Sequence, residues 1–213
     1  MNGLLTLVVV LMMQLLWWFG IHGPNVMGAV TSPFMTKMMA QNLALYQAGE
    51  GVTASGVFYT AGSQYSIIFG PFGSGWFSPT GSGITMGLII AVMLFSKRDD
   101  FKAIAKLAIP CGIFNINEPI IFGIPMVMNA LFAVPFFLAP IACVCCGYLV
   151  QSMGLCPLFV IDVPWTTPVG LFGFLASSGN IMGAIWQAVI ILGVSTLIYT
   201  PFVIASNRQT EEA

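Results

Sequence analysis

Charged side chains are the first thing that this sequence lacks. Asp, Glu, Lys and Arg make up 6% of its 213 residues, whereas hydrophobic residues make up 58%. Soluble domains carry roughly 25% charged residues, so the scarcity excludes an ordinary soluble enzyme. The net charge of −1 and the lack of a long basic block argue against nucleic acid as a partner. The composition predicts an integral membrane protein, with room for about five or six spans of ~20 residues.

Signals for nucleotide and metal binding are also missing. There is no G-x-x-x-x-G-K-[ST] run, so ATP-driven transport would need another chain. The only histidine and one distant glutamate fall short of the usual number of zinc ligands. Three of the five cysteines fall in the apolar run APIACVCCGYLV, which predicts small buried side chains. We therefore expect no metal and no other cofactor.

What the chain has instead is a series of apolar runs separated by Gly- and Pro-rich breaks. A Pro-broken segment at 29–48 suits a packed hairpin or an interfacial helix, and 49–83 is loop-like or re-entrant in composition. We find no internal repeat and predict one membrane domain over residues 1–213. The predicted fold is all-α and polytopic, with transmembrane helices and re-entrant hairpins around a midplane site. The apolar runs are 4–20, 84–95, 131–150 and 185–205.

Basic residues give a first indication of topology. The run SKRDDFKAIAK holds four of the six Lys and Arg residues, which predicts a cytoplasmic loop. Two apolar runs, 131–150 and 185–205, separate residues 107–129 from Arg208. If residues 107–129 enter the membrane and return to the same side, these two runs bring Arg208 back to that side as well. The charge distribution therefore favours a re-entrant hairpin at 107–129, with Glu118 near its tip.

Glu118 stands in the apolar stretch FNINEPIIFGIPMVMN, next to Pro119 and close to Asn115 and Asn117. Irregular backbone at membrane depth is tolerated only where protein or a watery cavity surrounds it. An ionisable group there is costly and usually functional. Glu118 could bind a sugar hydroxyl and accept its proton. The alternatives are a carboxylate that caps the hairpin backbone or pairs with a buried cation.

Two further residues are candidates for the same site. His22 lies in GIHGPN, where Gly and Pro interrupt the end of an apolar run, but a lone histidine is often a satisfied interface residue. Trp165 could stack on a sugar ring or anchor the chain at the membrane interface. Trp76 could also stack, although its loop context favours an interface role. From the residues alone we predict a membrane transport protein with a polar midplane site and an undetermined substrate.

Three stretches together resemble one known family. GIHGPN, FNINEPIIFGIPMVMN and PWTTPVGLFGFLASSG are similar to the membrane subunit (the IIC component) of phosphoenolpyruvate-dependent sugar phosphotransferase systems. The lactose/cellobiose/chitobiose branch matches best. The resemblance extends over essentially the whole chain, although family members are about twice as long. It implies that the chain corresponds to the C-terminal, sugar-binding half of a IIC permease.

The resemblance also implies roles for particular residues and partners. His22 and Glu118 would face a bound β-linked disaccharide, Asn117 would help to shape the site, and Trp165 would contribute an aromatic contact. A phosphorylated IIB component would deliver the phosphoryl group to the sugar 6-hydroxyl from the cytoplasm, with Glu118 as the catalytic carboxylate. The expected setting is a bacterial cell membrane crossed several times, with a homodimer if the N-terminal half is supplied.

Two other functions remain open from the sequence. An ion-coupled secondary transporter also places broken helices at a midplane site, and Glu118 would then be its proton site. An inactive truncated membrane fragment is the second alternative, because membrane helices need partners for their packed faces.

Overall fold

The computed structural model describes residues 3–68 and 70–211 of the chain. Within these residues the backbone is mostly helical, which confirms the predicted all-α fold, and the strands form a single short antiparallel hairpin. In chain order the elements are α1 (Gly3–Trp18), α2 (Gly23–Gln47), β1 (Val52–Thr53), β2 (Gly56–Val57), α3 (Gly70–Trp76), α4 (Met86–Phe95), α5 (Asp99–Ile113), α6 (Glu118–Gly123), α7 (Ala130–Ser152), α8 (Leu171–Ala176), α9 (Ile181–Ala188) and α10 (Ser195–Glu211), with a π-helical segment, Val189–Val194, between the last two.

Two helices in the described part of the chain are long and apolar enough to cross a membrane. Helix α7 has 23 residues, and the continuous helix Ile181–Arg208 has 28. At 1.5 Å per residue these extend about 34 Å and about 42 Å, against a hydrocarbon core of about 30 Å. Helices α1 and α4 are apolar but shorter. Each of the four predicted apolar runs is therefore largely helical.

The basic run was predicted to form a loop, but most of it is helical in the structure. Helix α5 begins at Asp99, so Lys102 and Lys106 lie on a helix and only a short connection precedes it. Asp99 and Asp100 favour this start because acidic side chains complement the positive end of the helix dipole. Arg98 donates to Asp100 at 2.6 Å and holds the pKa of that carboxyl below its usual value.

The stretch around Glu118 forms a helix, a turn and a second short helix, and the re-entrant hairpin at 107–129 stays a prediction. Helix α5 ends at Ile113, helix α6 begins at Glu118, and Asn115 lies in the turn with a φ of 66°. Because Asn tolerates the left-handed region better than most residues, the sequence permits a sharp reversal here. Ile120 and Ile121 then hold α6 in the core.

Two hydrophobic clusters hold the described helices together. The first contains Trp76, which is fully buried and does not lie at an interface as the sequence suggested. Its ring stacks on Phe159 with centroids 5.2 Å apart, and its Nε1 donates to Gln151. Gly147 of α7 leaves room for the indole, because a Cβ there would overlap the ring. The second cluster joins α4, α5, α6, α7 and α10.

Candidate functional site

The four residues predicted to form a site border one cavity of about 720 Å³. They are His22, Asn117, Glu118 and Trp165, which come from three separate parts of the chain. Helix α1, the start of α2, the end of α3, the segment after it and the α5–α6 turn form the remaining walls. The fold therefore brings together all the predicted site residues around a space large enough for a small-molecule ligand.

His22 lies at the sharp corner between α1 and α2. Its Nδ1 accepts a hydrogen bond from the backbone N–H of Asn25 at 3.2 Å, so the imidazole caps the N-terminus of α2. A neutral imidazole whose Nδ1 accepts carries its hydrogen on Nε2, which leaves Nε2 as a donor. The ring also packs on Trp17, with centroids 5.0 Å apart. The corner depends on Gly23, where a Cβ would overlap the carbonyl oxygen of Met13.

Glu118 is the first residue of α6 and is partly buried at the cavity wall. Among the residues that the structure describes, its side chain has no ion pair and no hydrogen bond. Position in the first turn of a helix favours a carboxylate, because the backbone N–H groups there carry partial positive charge. The carboxyl group therefore borders the cavity with its oxygens available to a ligand.

Two asparagines join the hairpin tip to the segment between α3 and α4. The Asn117 amide donates to the carbonyl oxygen of Ser82 at 2.7 Å, and Asn115 Oδ1 accepts from the backbone N–H of Thr80 at 2.6 Å. Gly81 makes the close approach possible: its φ is 80°, and a Cβ there would overlap the Asn117 side chain. Asn117 thus borders the cavity while its amide N–H₂ group holds the wall together.

Aromatic rings provide the apolar part of the cavity wall. Trp17, Phe77 and Trp165 all border it. Trp17 and Phe77 are buried, whereas Trp165 is 60% exposed. Flat apolar faces beside carboxylate, amide and imidazole groups suit a ligand that has both C–H faces and hydroxyl groups.

The structure adds Gln14 and Trp17 of α1 to the site. Gln14 is 1% exposed and Trp17 is 5% exposed, and both border the cavity. Gln14 Oε1 and Trp17 Nε1 are buried without a hydrogen-bond partner among the described residues. Such groups are rare in native structures because an unpaired buried polar atom costs about 1–3 kcal/mol. A single glutamine inside an apolar helix was the signal that could have identified this wall from the sequence.

Residues 3–68 and 70–211 contain no group of three His, Cys, Asp or Glu side chains that could hold a metal ion. The side chains at the cavity that can take part in chemistry include Glu118 and His22, with polar and aromatic side chains around them. These groups can orient a neutral polyhydroxyl ligand, and the carboxylate can accept a proton from it.

Broken helices around a polar and aromatic cavity define the chain as a helical membrane protein of the transporter class. The model of the family described as "Phosphotransferase system, EIIC" matches residues 1–140. The chain belongs to this family of integral membrane transporters.

Curated relatives agree with this assignment. The chain is 37% identical over 220 residues to the cellobiose-specific EIIC component of Lactococcus lactis subsp. lactis (strain IL1403), covering 96% of this chain and 43% of the relative. It is 35% identical over 210 residues to the oligo-beta-mannoside-specific EIIC component of Bacillus subtilis (strain 168), covering 95% and 43%. It is 33% identical over 189 residues to the lactose-specific EIICB component of Staphylococcus aureus, covering 88% and 31%.

A solved structure shares the fold. The transporter ChbC, the IIC component of the N,N'-diacetylchitobiose-specific phosphotransferase system, matches with a TM-score of 0.86 and 34% identity. The match covers 97% of this chain and 46% of ChbC. The chain thus spans less than half the length of these relatives.

Proposed function

We propose that the chain binds a β-linked disaccharide of the cellobiose, lactose or chitobiose type. It acts as the sugar-binding part of a phosphotransferase permease, which translocates the sugar while a phosphorylated IIB component phosphorylates its 6-hydroxyl. The observation that carries the proposal is the cavity itself, where Glu118, His22, Asn117 and Trp165 meet.

The chemistry of the cavity supports a neutral carbohydrate. Sugar rings present C–H faces that pack on aromatic rings such as Trp165, and hydroxyl groups that both donate and accept hydrogen bonds. Glu118 supplies acceptors, and His22 supplies a donor. Gln14 Oε1 and Trp17 Nε1 lack partners in the described structure, and hydroxyl groups satisfy an acceptor and a donor of this kind.

The names of the relatives support the substrate class and the partner. Those reported above are specific for cellobiose, oligo-beta-mannoside and lactose, and ChbC serves N,N'-diacetylchitobiose. The Staphylococcus aureus relative is named an EIICB component, which is consistent with a B component acting beside the C component.

Glu118 is the proposed catalytic base. In the transfer step the bond from phosphorus to the cysteine sulphur of the IIB component breaks, and a bond from phosphorus to the sugar 6-oxygen forms. The hydroxyl proton passes to the Glu118 carboxylate, and the cysteine leaves as a thiolate. A carboxylate without a partner at the cavity wall suits this role, because a hydroxyl is a weak nucleophile until its proton is accepted.

The setting proposed for this activity is a bacterial cell membrane crossed several times. Helices α7 and α9–α10 have the length and composition of spans, and α1 and α4 are shorter apolar helices. The proposed assembly is a homodimer, with the N-terminal half that the family resemblance implies also supplied.

Sugar binding by the purified chain in detergent is the first test. We expect calorimetry to show saturable binding of cellobiose, lactose or chitobiose. Glu50→Gln is the matched control, since this exposed glutamate does not border the cavity. Glu118→Gln is expected to weaken binding, and Glu50→Gln to leave it unchanged. A well-folded chain that binds none of the three sugars would contradict the proposal.

Phosphoryl transfer is the second test. With a phosphorylated IIB component present, the sugar should appear as its 6-phosphate. Glu118→Gln should slow this step about 10²- to 10⁴-fold, the usual contribution of a general base. Release of unmodified sugar coupled to proton movement would instead identify an ion-coupled transporter. Transfer at an unchanged rate in Glu118→Gln would exclude Glu118 as the base.

A further inference from the structure

Asn115 makes three hydrogen bonds to backbone groups of two segments that border the cavity. Its Oδ1 accepts from the Thr80 N–H at 2.6 Å. Its Nδ2 donates to the carbonyl oxygens of Trp165 at 2.5 Å and of Thr167 at 2.9 Å. One side chain of the α5–α6 turn therefore connects the segment between α3 and α4 with the loop that carries Trp165.

These bonds leave no donor for a ligand. A carboxamide has two N–H hydrogens, and two carbonyl oxygens already accept them. Asn115 is 6% exposed, although it borders the cavity. Any effect of its amide N–H₂ group on a ligand has to pass through the groups that it holds.

Two residues at this junction adopt the left-handed backbone conformation. Asn115 has a φ of 66° and Thr80, its hydrogen-bond partner, has a φ of 59°. Asn adopts the left-handed conformation more readily than most residues, whereas a β-branched residue such as Thr adopts it rarely. Strained residues that the surrounding contacts hold in place cluster at functional sites. The Asn115 amide therefore binds the backbone of one such residue, Thr80.

Trp165 lies in one of the two segments that this amide joins. Its side chain is 60% exposed, so packing does little to fix the ring. Its backbone belongs to a turn in which the Thr167 N–H donates to the Pro164 carbonyl at 2.9 Å. The Asn115 amide holds two carbonyl groups of this turn, and the turn sets where the indole lies at the cavity.

We propose that Asn115 is a positioning residue for the sugar site, which acts by holding the Trp165 turn against the hairpin tip that carries Glu118. This proposal rests on the proposed function for its ligand. The two asparagines of the stretch NINE therefore have different roles. Asn117 joins the tip to Ser82, and Asn115 joins the same tip to the turn that carries Trp165.

The position of Trp165 can be tested without any ligand. The full chain in detergent is labelled with fluorotryptophan, and the Trp165 signal in ¹⁹F NMR is assigned by its loss in Trp165→Phe. Asn115→Asp keeps the acceptor for Thr80 and removes both donors. Asn115→Gly removes the side chain and suits the positive φ, so a folding defect is less of a concern. Both variants are expected to shift and narrow the Trp165 signal while that of buried Trp76 stays in place.

Asn129 offers a matched control. Its amide also joins an acceptor and a donor, since Oδ1 accepts from Leu131 N–H at 3.0 Å and Nδ2 donates to the Pro125 carbonyl at 2.9 Å. It does not border the cavity. Asn129→Asp should leave the Trp165 signal unchanged. An unchanged Trp165 signal in Asn115→Asp and Asn115→Gly would overturn the proposal, whether or not the chain binds sugar.

A double-mutant cycle on sugar affinity then tests the consequence for binding. With the best-binding of the three disaccharides, Asn115→Gly should weaken affinity about 2- to 10-fold, the range that one aromatic contact contributes. In a Trp165→Ala background the same change should have little further effect, because the two residues act as one unit. Losses that multiply would show a general structural role and overturn the proposal. A wild-type chain that binds no sugar contradicts the proposed function, and the NMR result still decides the role of Asn115.

Discussion

Replacement of His22 by Asn and by Ala should separate the two roles of this side chain. Its Nδ1 caps α2 through the Asn25 N–H at 3.2 Å, and its ring borders the cavity next to Trp17. Asn is among the best N-cap residues, whereas Ala cannot cap, and loss of a cap costs about 1 kcal/mol. His22→Ala should therefore lower the melting temperature by about 2–4 °C, and His22→Asn should leave it near the wild-type value.

Sugar affinity should follow a different order from stability. Both variants lose the Nε2 donor and the ring contact with Trp17, so both should bind disaccharide more weakly. A hydrogen bond of about 0.5–1.5 kcal/mol corresponds to about a 2- to 12-fold rise in Kd. Thermal unfolding and calorimetry on the same detergent samples measure the two quantities. Equal melting temperatures for the His22→Asn and His22→Ala variants would refute the capping role. An unchanged sugar affinity in His22→Asn would show that the imidazole ring does not contribute to sugar binding.

Three further predictions concern the cavity wall and its supports. Gln14→Met removes an unpartnered buried acceptor and keeps the chain length, so the melting temperature should not fall, while calorimetry should show weaker sugar binding. Gly81→Ala would overlap Asn117 at a positive φ and should lower stability by about 1–2 kcal/mol in thermal unfolding, whereas Gly28→Ala, with open space around its Cβ inside α2, should not lower it. Gln187→Leu removes a fully buried amide that binds three backbone groups, and it should lower stability by about 3 kcal/mol or more in the same assay; a fall below 1 kcal/mol would contradict this account.

Several site residues could be predicted because they break the apolar pattern. Glu118 and His22 are ionisable groups beside Gly and Pro in a hydrophobic sequence, which marks a functional position in a membrane protein. Trp165 was a candidate for sugar stacking or for an interface anchor, and Asn117 was assigned to the site only through resemblance to a family. The structure places all four at one cavity, although nothing in the spacing of the residues shows how close the parts of the chain come.

Other residues could not be assigned because their roles depend on tertiary contacts. Asn115 was noted only as a neighbour of Glu118, since the sequence does not show which backbone groups its amide meets. Gln14 is one polar residue in an apolar helix, and only the folded structure shows that it faces the site. Trp76 was wrongly placed at an interface because the room that Gly147 leaves for its ring lies on a helix distant in sequence.

The prediction that the basic run forms a loop was wrong for a local reason. Its Lys and Arg residues indicated a loop, but Asp99 and Asp100 at the front of the same run favour a helix start. The side of the membrane on which it lies stays a prediction.

The π-helical segment Val189–Val194 has a consequence for how the last helix tolerates changes of length. Each residue of an α-helix turns the chain by about 100°, so an extra residue held in a wide turn changes which faces the two flanking helices present. Before the segment, Gln187 binds the backbone of Gly170 and Gly173; after it, the Tyr199 hydroxyl donates to the Gly83 carbonyl at 2.7 Å. Removing one residue from the segment would restore regular winding and rotate one of these contacts away from its partner. The wide turn thus fixes the rotation about the helix axis between Gln187 and Tyr199, so that both side chains reach their partners.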